Sequence, residues 1–513
     1  MLRKCGPGGS IAGMPESPTS SSPVATSGSA REQAVVDAVP TGLFIGGSWR
    51  PAASGATLPV DDPATGKTLV EVASAGPEDG RAALDAAAAA QPGFAAMAPR
   101  ERGEILRRAY ELMTARIDDL ALLMTLEMGK PIAESKGEIA YAAEFFRWFA
   151  EEAVRIDGQY AVAPNGASRF LVMRQPVGVC LLITPWNFPA AMGTRKIGPA
   201  VAAGCTMVLK PAQQTPLSMH ALAAILTEAG LPDGVLNIVT TGSAGRVMEP
   251  LIRDGRARKL SFTGSTGVGR RLLEQAADKV LRTSMELGGN APFLVFADAD
   301  LDAAVDGAML AKMRNMGEAC TAANRFLVHE SLAADFSAAL AARMGAHTVG
   351  RGTDDGVDVG PLVDEPSRGK VTELVQDAVD AGARVLVGGS GLGDRGYFYA
   401  PTVLTDVPAG ARLVTEEIFG PVAPVTTFGT DEEALRMAND TEYGLVAYAF
   451  TRDLDRALRV AEGLETGMVG INQGIVSNPA APFGGVKHSG FGREGGAEGI
   501  EEYLETKYVG IAT

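Results

Sequence analysis

The sequence predicts an α/β protein made of two stacked doubly wound parallel-sheet domains, with a small β arm for oligomerisation. Three observations carry this. From Val177 onward, the apolar runs VGVCLLITP, CTMVLKP, GVLNIVT and ARKLSFTG alternate with helical stretches near residues 195–203, 218–229 and 267–277. Such alternation builds a parallel sheet with helices on its faces. After Leu287 a second series follows, APFLVF, RFLVH, ARVLVGG, PVAPVTTF, LVAYAFT and GMVGIN, which asks for a second α/β unit. Between the N-terminal helices and the first series, RIDGQYAVA and SRFLVMRQPVGV flank an Asn165-Gly166 pair, a strong hairpin signal. A hairpin projecting there suits subunit contact, although a simple surface hairpin would look the same.

The earlier elements are read from periodicity. LFIGGSWR and DPATGKTLVEVA give short strands joined by turns. Ala- and Leu-rich patterns predict helices over residues 78–96, 100–128 and 132–152, with Pro99 at the first boundary. No period of 20–50 residues points to a solenoid. The first 35 residues are rich in Gly, Pro, Ser and Thr and lack an apolar core behind Arg3 and Lys4, so the expectation is a disordered tail rather than a secretory signal. An upstream start, with Met14 as the alternative, would look the same, and no role is expected for Cys5.

The bulk numbers exclude several classes of function. The 513 residues are 46% hydrophobic and 21% charged, with a net charge of -15. An acidic chain is a poor partner for nucleic acid or an anionic membrane. No apolar run approaches the roughly 18 residues of a membrane span. The four cysteines, Cys5, Cys180, Cys205 and Cys320, form no CxxC pair and do not cluster with the four histidines. Neither a metal site nor a disulfide framework is expected, and free thiols fit a reducing, cytoplasmic setting.

Four segments could carry chemistry. SFTGSTGVG at 261–269 follows an apolar strand and opens a helix, where glycines let backbone approach a pyrophosphate. Its spacing is not GxGxxG, and a Gly-rich turn without a ligand would look alike. Cys320 lies in NMGEACT, among small residues, whereas Cys180 and Cys205 sit in apolar runs and read as core fillers. Glu286, in MELGGN, is an acid between apolar neighbours. Partial burial there would raise its pKa, as a general base for water requires; a structural carboxylate is the alternative. Asn187, in TPWNFP, could aim its amide at an oxyanion or merely stabilise a turn.

Together these segments resemble the aldehyde dehydrogenase superfamily from about Gly42 to the C-terminus. PWNFP, KPAQQTP, FTGST, MELGG, the cysteine at 320 and EEIFGP occur in family order. The resemblance implies that the Cys320 thiolate attacks an aldehyde, with Asn187 and the Cys320 N–H holding the oxyanion. A nicotinamide takes the hydride, and Glu286 activates water to release the acid. It also implies that Lys210 and Glu417 contact the cofactor ribose, and that Trp186, Asn187, Gly264, Ser265, Leu287 and Phe419 line its path. Gln213 stands where NAD-specific members often carry Glu. A neutral amide there removes repulsion toward a 2′-phosphate and points to NADP, with NAD the alternative.

Within the superfamily the chain is most similar to the branch acting on succinate semialdehyde. GTRK at 193–196, KMRN at 312–315 and GINQGIVS at 470–477 carry that likeness. It implies that Arg195, Arg314 and Ser477 bind the distal carboxylate, which suits the fork geometry of guanidinium; a surface salt bridge is the alternative for either arginine. Glutarate semialdehyde or a broader range of aldehydes is the rival substrate within the family. A cofactor-independent thiol hydrolase and a non-catalytic scaffold are rivals outside it. Two departures stand out: Ala322 replaces a second cysteine found in some members, so a disulfide switch is not expected, and GEAC replaces the commoner GQTC. The expected organisation is a tail (1–35), a dinucleotide-binding domain (36–153 and 176–288), an oligomerisation arm (154–175 and 498–513) and a catalytic domain (289–497). A homodimer or homotetramer is expected.

Overall fold

The computed structural model describes residues 27–512. Its first sheet runs Ser48–Arg50, Leu43–Ile45, Leu236–Ile238, Met207–Lys210, Val179–Ile183, Ala257–Thr263, Arg282–Glu286 and Gly490–Phe491. The five strands from Leu236–Ile238 to Arg282–Glu286 are parallel, and antiparallel strands close both edges. Strands such as VCLLI are buried at every position, as a sheet covered on both faces requires, so no apolar–polar alternation shows in them.

The second sheet runs Arg384–Val387, Thr402–Thr405, Val422–Phe428, Ala323–His329, Ala291–Val295, Val446–Phe450 and Met468–Ile471. Only Arg384–Val387 is antiparallel to its neighbour. Its core is aromatic. The Phe293 ring lies 5.2 Å from Phe326, 5.0 Å from Phe450 and 5.9 Å from Tyr448.

A third, three-stranded sheet joins Leu504–Ala512, Ser168–Pro176 and Gln159–Val162. The Asn165-Gly166 turn forms as the sequence predicts, with Gly166 in the left-handed region at φ 73°. Leu504–Ala512 pairs along the whole of Ser168–Pro176. Tyr160, Val162, Met173, Tyr508 and Ile511 remain exposed on this small sheet.

Three features differ from the sequence reading. The helix Ser27–Asp37 begins within the expected tail and runs past its end. Val36 and Val39 are buried with Leu58, Val60 and Leu122, and Glu32 and Asp62 pair with Arg351. Its apolar signal is two residues long and adjoins a Gly/Pro/Ser-rich stretch, so composition masks it. The rest of the expected tail, residues 1–26 with Cys5, lies outside the described residues. The pattern over 100–128 is two helices, Pro99–Ala115 and Ile117–Met128, broken at Arg116, whose N–H bonds back to Leu112 and Met113 while its side chain reaches Glu228. Finally, Gly490–Phe491, inside the 289–497 range, adds a strand to the first sheet by pairing with Met285 and Glu286. Two residues are too few to leave a periodic trace.

The topology fixes where a site can form. From Val179–Ile183 the chain winds outward through Met207–Lys210 to Leu236–Ile238, then crosses to Ala257–Thr263 on the other side. The crevice at such a reversal, beyond the carboxyl ends of the strands, is where α/β sheets bind ligands. Residues 184–189 and 264–265 leave the sheet there. Replacing Phe293 with Ala should lower stability by about 3–5 kcal/mol, the usual cost of deleting a buried aromatic. Chemical denaturation followed by intrinsic fluorescence checks this; a loss below about 1 kcal/mol would show that the aromatic cluster collapses to fill the void.

Candidate active site

The crevice opens into a cavity of about 270 Å³ lined by Trp186, Asn187, Thr263, Gly264, Ser265, Glu286, Leu287, Cys320, Glu417 and Phe419, with Met192, Ser367, Lys370 and Ile418 among its other walls. Pro185 to Asn187 and Thr263 to Ser265 come from carboxyl ends of the first sheet. Cys320 and Glu417 precede the strands Ala323–His329 and Val422–Phe428 of the second. The carboxyl ends of one sheet therefore face the amino ends of the other. Residues more than a hundred positions apart meet in one volume.

The Cys320 loop is tightly constrained. Asn315, Met316 and Gly317 take left-handed φ of 53°, 54° and 75° in succession. Strain at non-glycine residues of this kind persists only when surrounding structure enforces it. A Cβ on Gly317 would lie 2.2 Å from the Gly420 carbonyl oxygen, and one on Gly289 would lie 2.4 Å from that of Cys320. Both positions demand glycine because backbone meets backbone there.

Asn187 is buried beside this loop. Its Nδ2 donates to the Glu318 carbonyl at 3.0 Å, and Asn315 Nδ2 donates to that same carbonyl and to the Asn187 carbonyl, both at 2.9 Å. An amide nitrogen carries two protons, so one N–H of Asn187 remains free in the cavity. That is the donor an oxyanion needs.

Electrostatics keep the acid forms. Burial pushes the Cys320 thiol up to about 12, opposed by the Arg195 and Arg314 charges and reinforced by Glu417 and Glu286. Glu286 is buried, and neither of its carboxylate oxygens has a hydrogen-bond partner. Burial first, then the Glu494 charge, raises its pKa well above the ordinary carboxylate value, against the pull of Arg195, Lys196 and Arg493. Without a compensating bond the charged form is disfavoured. The site thus holds a protonated thiol and a high-pKa carboxyl in one cavity.

Arg314 and Ser477 meet, with Arg314 Nη1 3.3 Å from Ser477 Oγ and the guanidinium 4.7 Å above the Phe188 ring. Together with Tyr448 and Thr321 they line a small recess next to the Cys320 loop. Arg195 is 2% exposed and held by Glu494 at 2.6 Å, with its guanidinium 3.9 Å above Phe483. Its Nη2 is buried without a hydrogen-bond partner. Glu494 also binds Lys196 at 2.5 Å. The sequence reading missed Glu494, because its carboxylate is brought over by the segment that ends the chain.

The cofactor candidates divide. Gly264, Ser265, Leu287, Glu417, Phe419 and Trp186 line the cavity, with Trp186 edge-on to Phe419 at 5.4 Å. The Thr263 hydroxyl is buried there without a partner, a polar atom suited to a ligand. Lys210, at the end of its strand, and Gln213 do not line it; Gln213 borders a separate hollow with Gln214 and Asp364. Burial lowers Lys210 to about 8. Lys370, also missed, donates to the Glu417 carbonyl at 2.6 Å. No motif marks it, since it lies within an ordinary helical pattern.

Comparison with known proteins agrees with this geometry. A succinate-semialdehyde dehydrogenase of Paenarthrobacter nicotinovorans is 63% identical over 444 residues, covering 86% of this chain and 99% of that protein. The NADP(+) succinate-semialdehyde dehydrogenase GabD of Escherichia coli is 52% identical, over 91% of this chain and 97% of its own length. A glutarate-semialdehyde dehydrogenase of Pseudomonas putida is also 52% identical, over 91% and 97%. Among solved structures, an E. coli NADP-dependent enzyme superposes with a TM-score of 0.91 at 52% identity, covering 93% of this chain and 98% of that one. A betaine aldehyde dehydrogenase of Staphylococcus aureus in complex with NAD+ gives 0.91 at 33%, covering 93% and 96%. The model of the aldehyde dehydrogenase family matches residues 49–509, and the chain belongs to that family.

Proposed function

We propose that this enzyme oxidises a short aldehyde bearing a distal carboxylate, succinate semialdehyde foremost, to the dicarboxylic acid, with NADP as acceptor and NAD as a weaker one. The observation that carries this is the meeting of Arg314 and Ser477 beside the Cys320 loop. A guanidinium and a hydroxyl there match a carboxylate at the far end of a short chain. The buried, unpartnered Nη2 of Arg195 adds a second donor. The relatives named above point the same way, and the glutarate-semialdehyde relative keeps the longer substrate as the alternative. For the cofactor, the NADP(+) relative and the neutral, exposed Gln213 support NADP.

In this reading Cys320 Sγ gives its proton to solvent and attacks the aldehyde carbon, the C=O π electrons pass to the oxygen, and the free N–H of Asn187 with the Cys320 amide holds that oxyanion. Gly264, Ser265, Lys210, Gln213 and Glu417 would hold a dinucleotide, with Trp186, Asn187, Leu287 and Phe419 lining its path, and it would supply the hydride acceptor. The thioester left on Cys320 is hydrolysed by a water that Glu286 deprotonates, and the thiolate departs. The first sheet with its helices forms the dinucleotide-binding domain, and the second forms the catalytic one. The exposed apolar residues and free edges of the three-stranded sheet suit pairing with a second copy of the chain, giving a homodimer or homotetramer.

Reduced-cofactor absorbance with succinate semialdehyde, glutarate semialdehyde and a neutral aldehyde, each with NADP and NAD, tests the substrate. Acidic aldehydes should win in kcat/KM by about tenfold or more, as a charge-assisted contact of roughly 1.5–3 kcal/mol implies; equal values would sink the arginine reading. Arg314→Ala should act mainly on KM. Cys320→Ala should abolish oxidation, and retained turnover would refute the covalent route.

The pH dependence follows from the two acid forms. Both Cys320 and Glu286 must lose a proton to act, and both are shifted upward, so activity is lost as pH falls and gained as it rises. Alkylation of Cys320 by iodoacetamide without cofactor should be slow at neutral pH and still rising above pH 9. A plateau reached by pH 7 would show an already ionised thiol. Glu286→Gln should keep a first-turnover burst of reduced cofactor while steady turnover falls by about 10²–10⁴-fold, the usual worth of a general base.

A further inference from the structure

Lys130 and Glu138 form a buried charge pair that the chemistry above leaves unused. Lys130 follows the helix Ile117–Met128, and Glu138 lies on the helix Ile132–Glu152. Their side chains are each 1% exposed, and Lys130 Nζ contacts Glu138 Oε2 at 2.5 Å. Both partners also reach the Asn187 turn. Lys130 Nζ donates to the Asn187 carbonyl at 2.8 Å and sits 4.2 Å above the Phe188 ring. Glu138 Oε1 accepts the N–H groups of Ala190 and Ala191 at 3.0 and 3.2 Å, the amides that open the helix Ala191–Ala203.

We propose that Lys130 and Glu138 are positioning residues that fix the Asn187 amide against the Cys320 loop. This rests on the reading of Asn187 as the oxyanion donor. The Asn187 carbonyl accepts from Lys130 Nζ and Asn315 Nδ2, while Asn187 Nδ2 is tied to Glu318, two residues before the nucleophile. The peptide of Asn187 is thus held from one side by Lys130 and from the other by the nucleophile loop. Glu138 anchors the far end of the same turn. With both ends held, the remaining N–H of Asn187 has one direction to point. A buried ion pair is a poor source of net stability, because desolvating two charges offsets their attraction. Its recruitment of three groups on one catalytic turn is better explained by orientation than by stability.

Removing only Lys130 would strand the Glu138 charge, so a second variant separates folding from positioning. Lys130→Met/Glu138→Gln removes both charges, and the Gln carbonyl can still accept an amide N–H. In the full-length protein, Lys130→Met should slow first-turnover formation of reduced cofactor by about 10²-fold, the penalty of a displacement near 1 Å. The alkylation rate of Cys320 should stay within about twofold, since alkylation develops no oxyanion for Asn187 to hold. The double variant should regain thermal stability and remain slow. In an Asn187→Ala background, itself slowed by about 10²–10³-fold, Lys130→Met should add less than about threefold, because coupled residues do not add. Wild-type rate in Lys130→Met or in the double variant would overturn the proposal, as would a full multiplicative loss on Asn187→Ala. An Asn187→Ala enzyme of normal rate would instead overturn the oxyanion reading on which the proposal rests.

Discussion

The hydrogen bond from the Asn187 side chain to the Glu318 carbonyl joins the two halves of this enzyme at its reactive point. One partner stands at a strand end of the first sheet, and the other on the loop entering the second. The first sheet packs its core around VCLLI and its neighbours, and the second around the Phe293 cluster. Neither alone brings the Cys320 thiol and the Asn187 amide into one cavity. The left-handed run at Asn315, Met316 and Gly317 has a reason in this light: the loop must bend sharply enough to bring Cys320 and the Glu318 carbonyl to the same partner.

Charge distribution follows from that closeness. An acidic protein assembles Arg195, Lys196, Lys130 and Arg314 around one small volume, and nearly every one has a specific anion or carbonyl beside it. Glu494 neutralises Arg195 and Lys196 while its own charge discourages a second anion at Glu286. Neither carboxylate oxygen of Glu286 has a hydrogen-bond partner, which suits the proton acceptor proposed above. The carboxyls that hold structure, Glu138 and Glu494, are the ones that are paired.

Much of this was legible in the sequence, and the exceptions have physical causes. The strands of both sheets and the hairpin at Asn165-Gly166 appear because apolar runs and a turn dipeptide are local signals. Cys320, Glu286, Asn187 and Glu417 meet in the cavity as their motifs imply, since each sits on a segment whose composition is unusual for its surroundings. Lys130, Glu138 and Glu494 were not legible. Each lies in an ordinary helix or loop, and only the fold places it against a distant partner. Lys210 and Gln213 belong to a motif yet do not line the Cys320 cavity, and Gln213 borders a separate hollow. The helix at Ser27–Asp37 shows the opposite failure, in which composition hid a short element stabilised by Arg351, more than three hundred residues away.

The small strand Gly490–Phe491 carries a consequence for the timing of assembly. It hydrogen-bonds to Met285 and Glu286, and the Ser489 hydroxyl donates to the Gly288 carbonyl. More than two hundred residues of chain must be synthesised after Glu286 before its strand gains that neighbour. During synthesis domains form in order from the N-terminus, so the first sheet is built early with one flank open. Glu286, the general base proposed above, therefore gains this strand neighbour only after Asn187, Cys320 and Glu417 have all been synthesised.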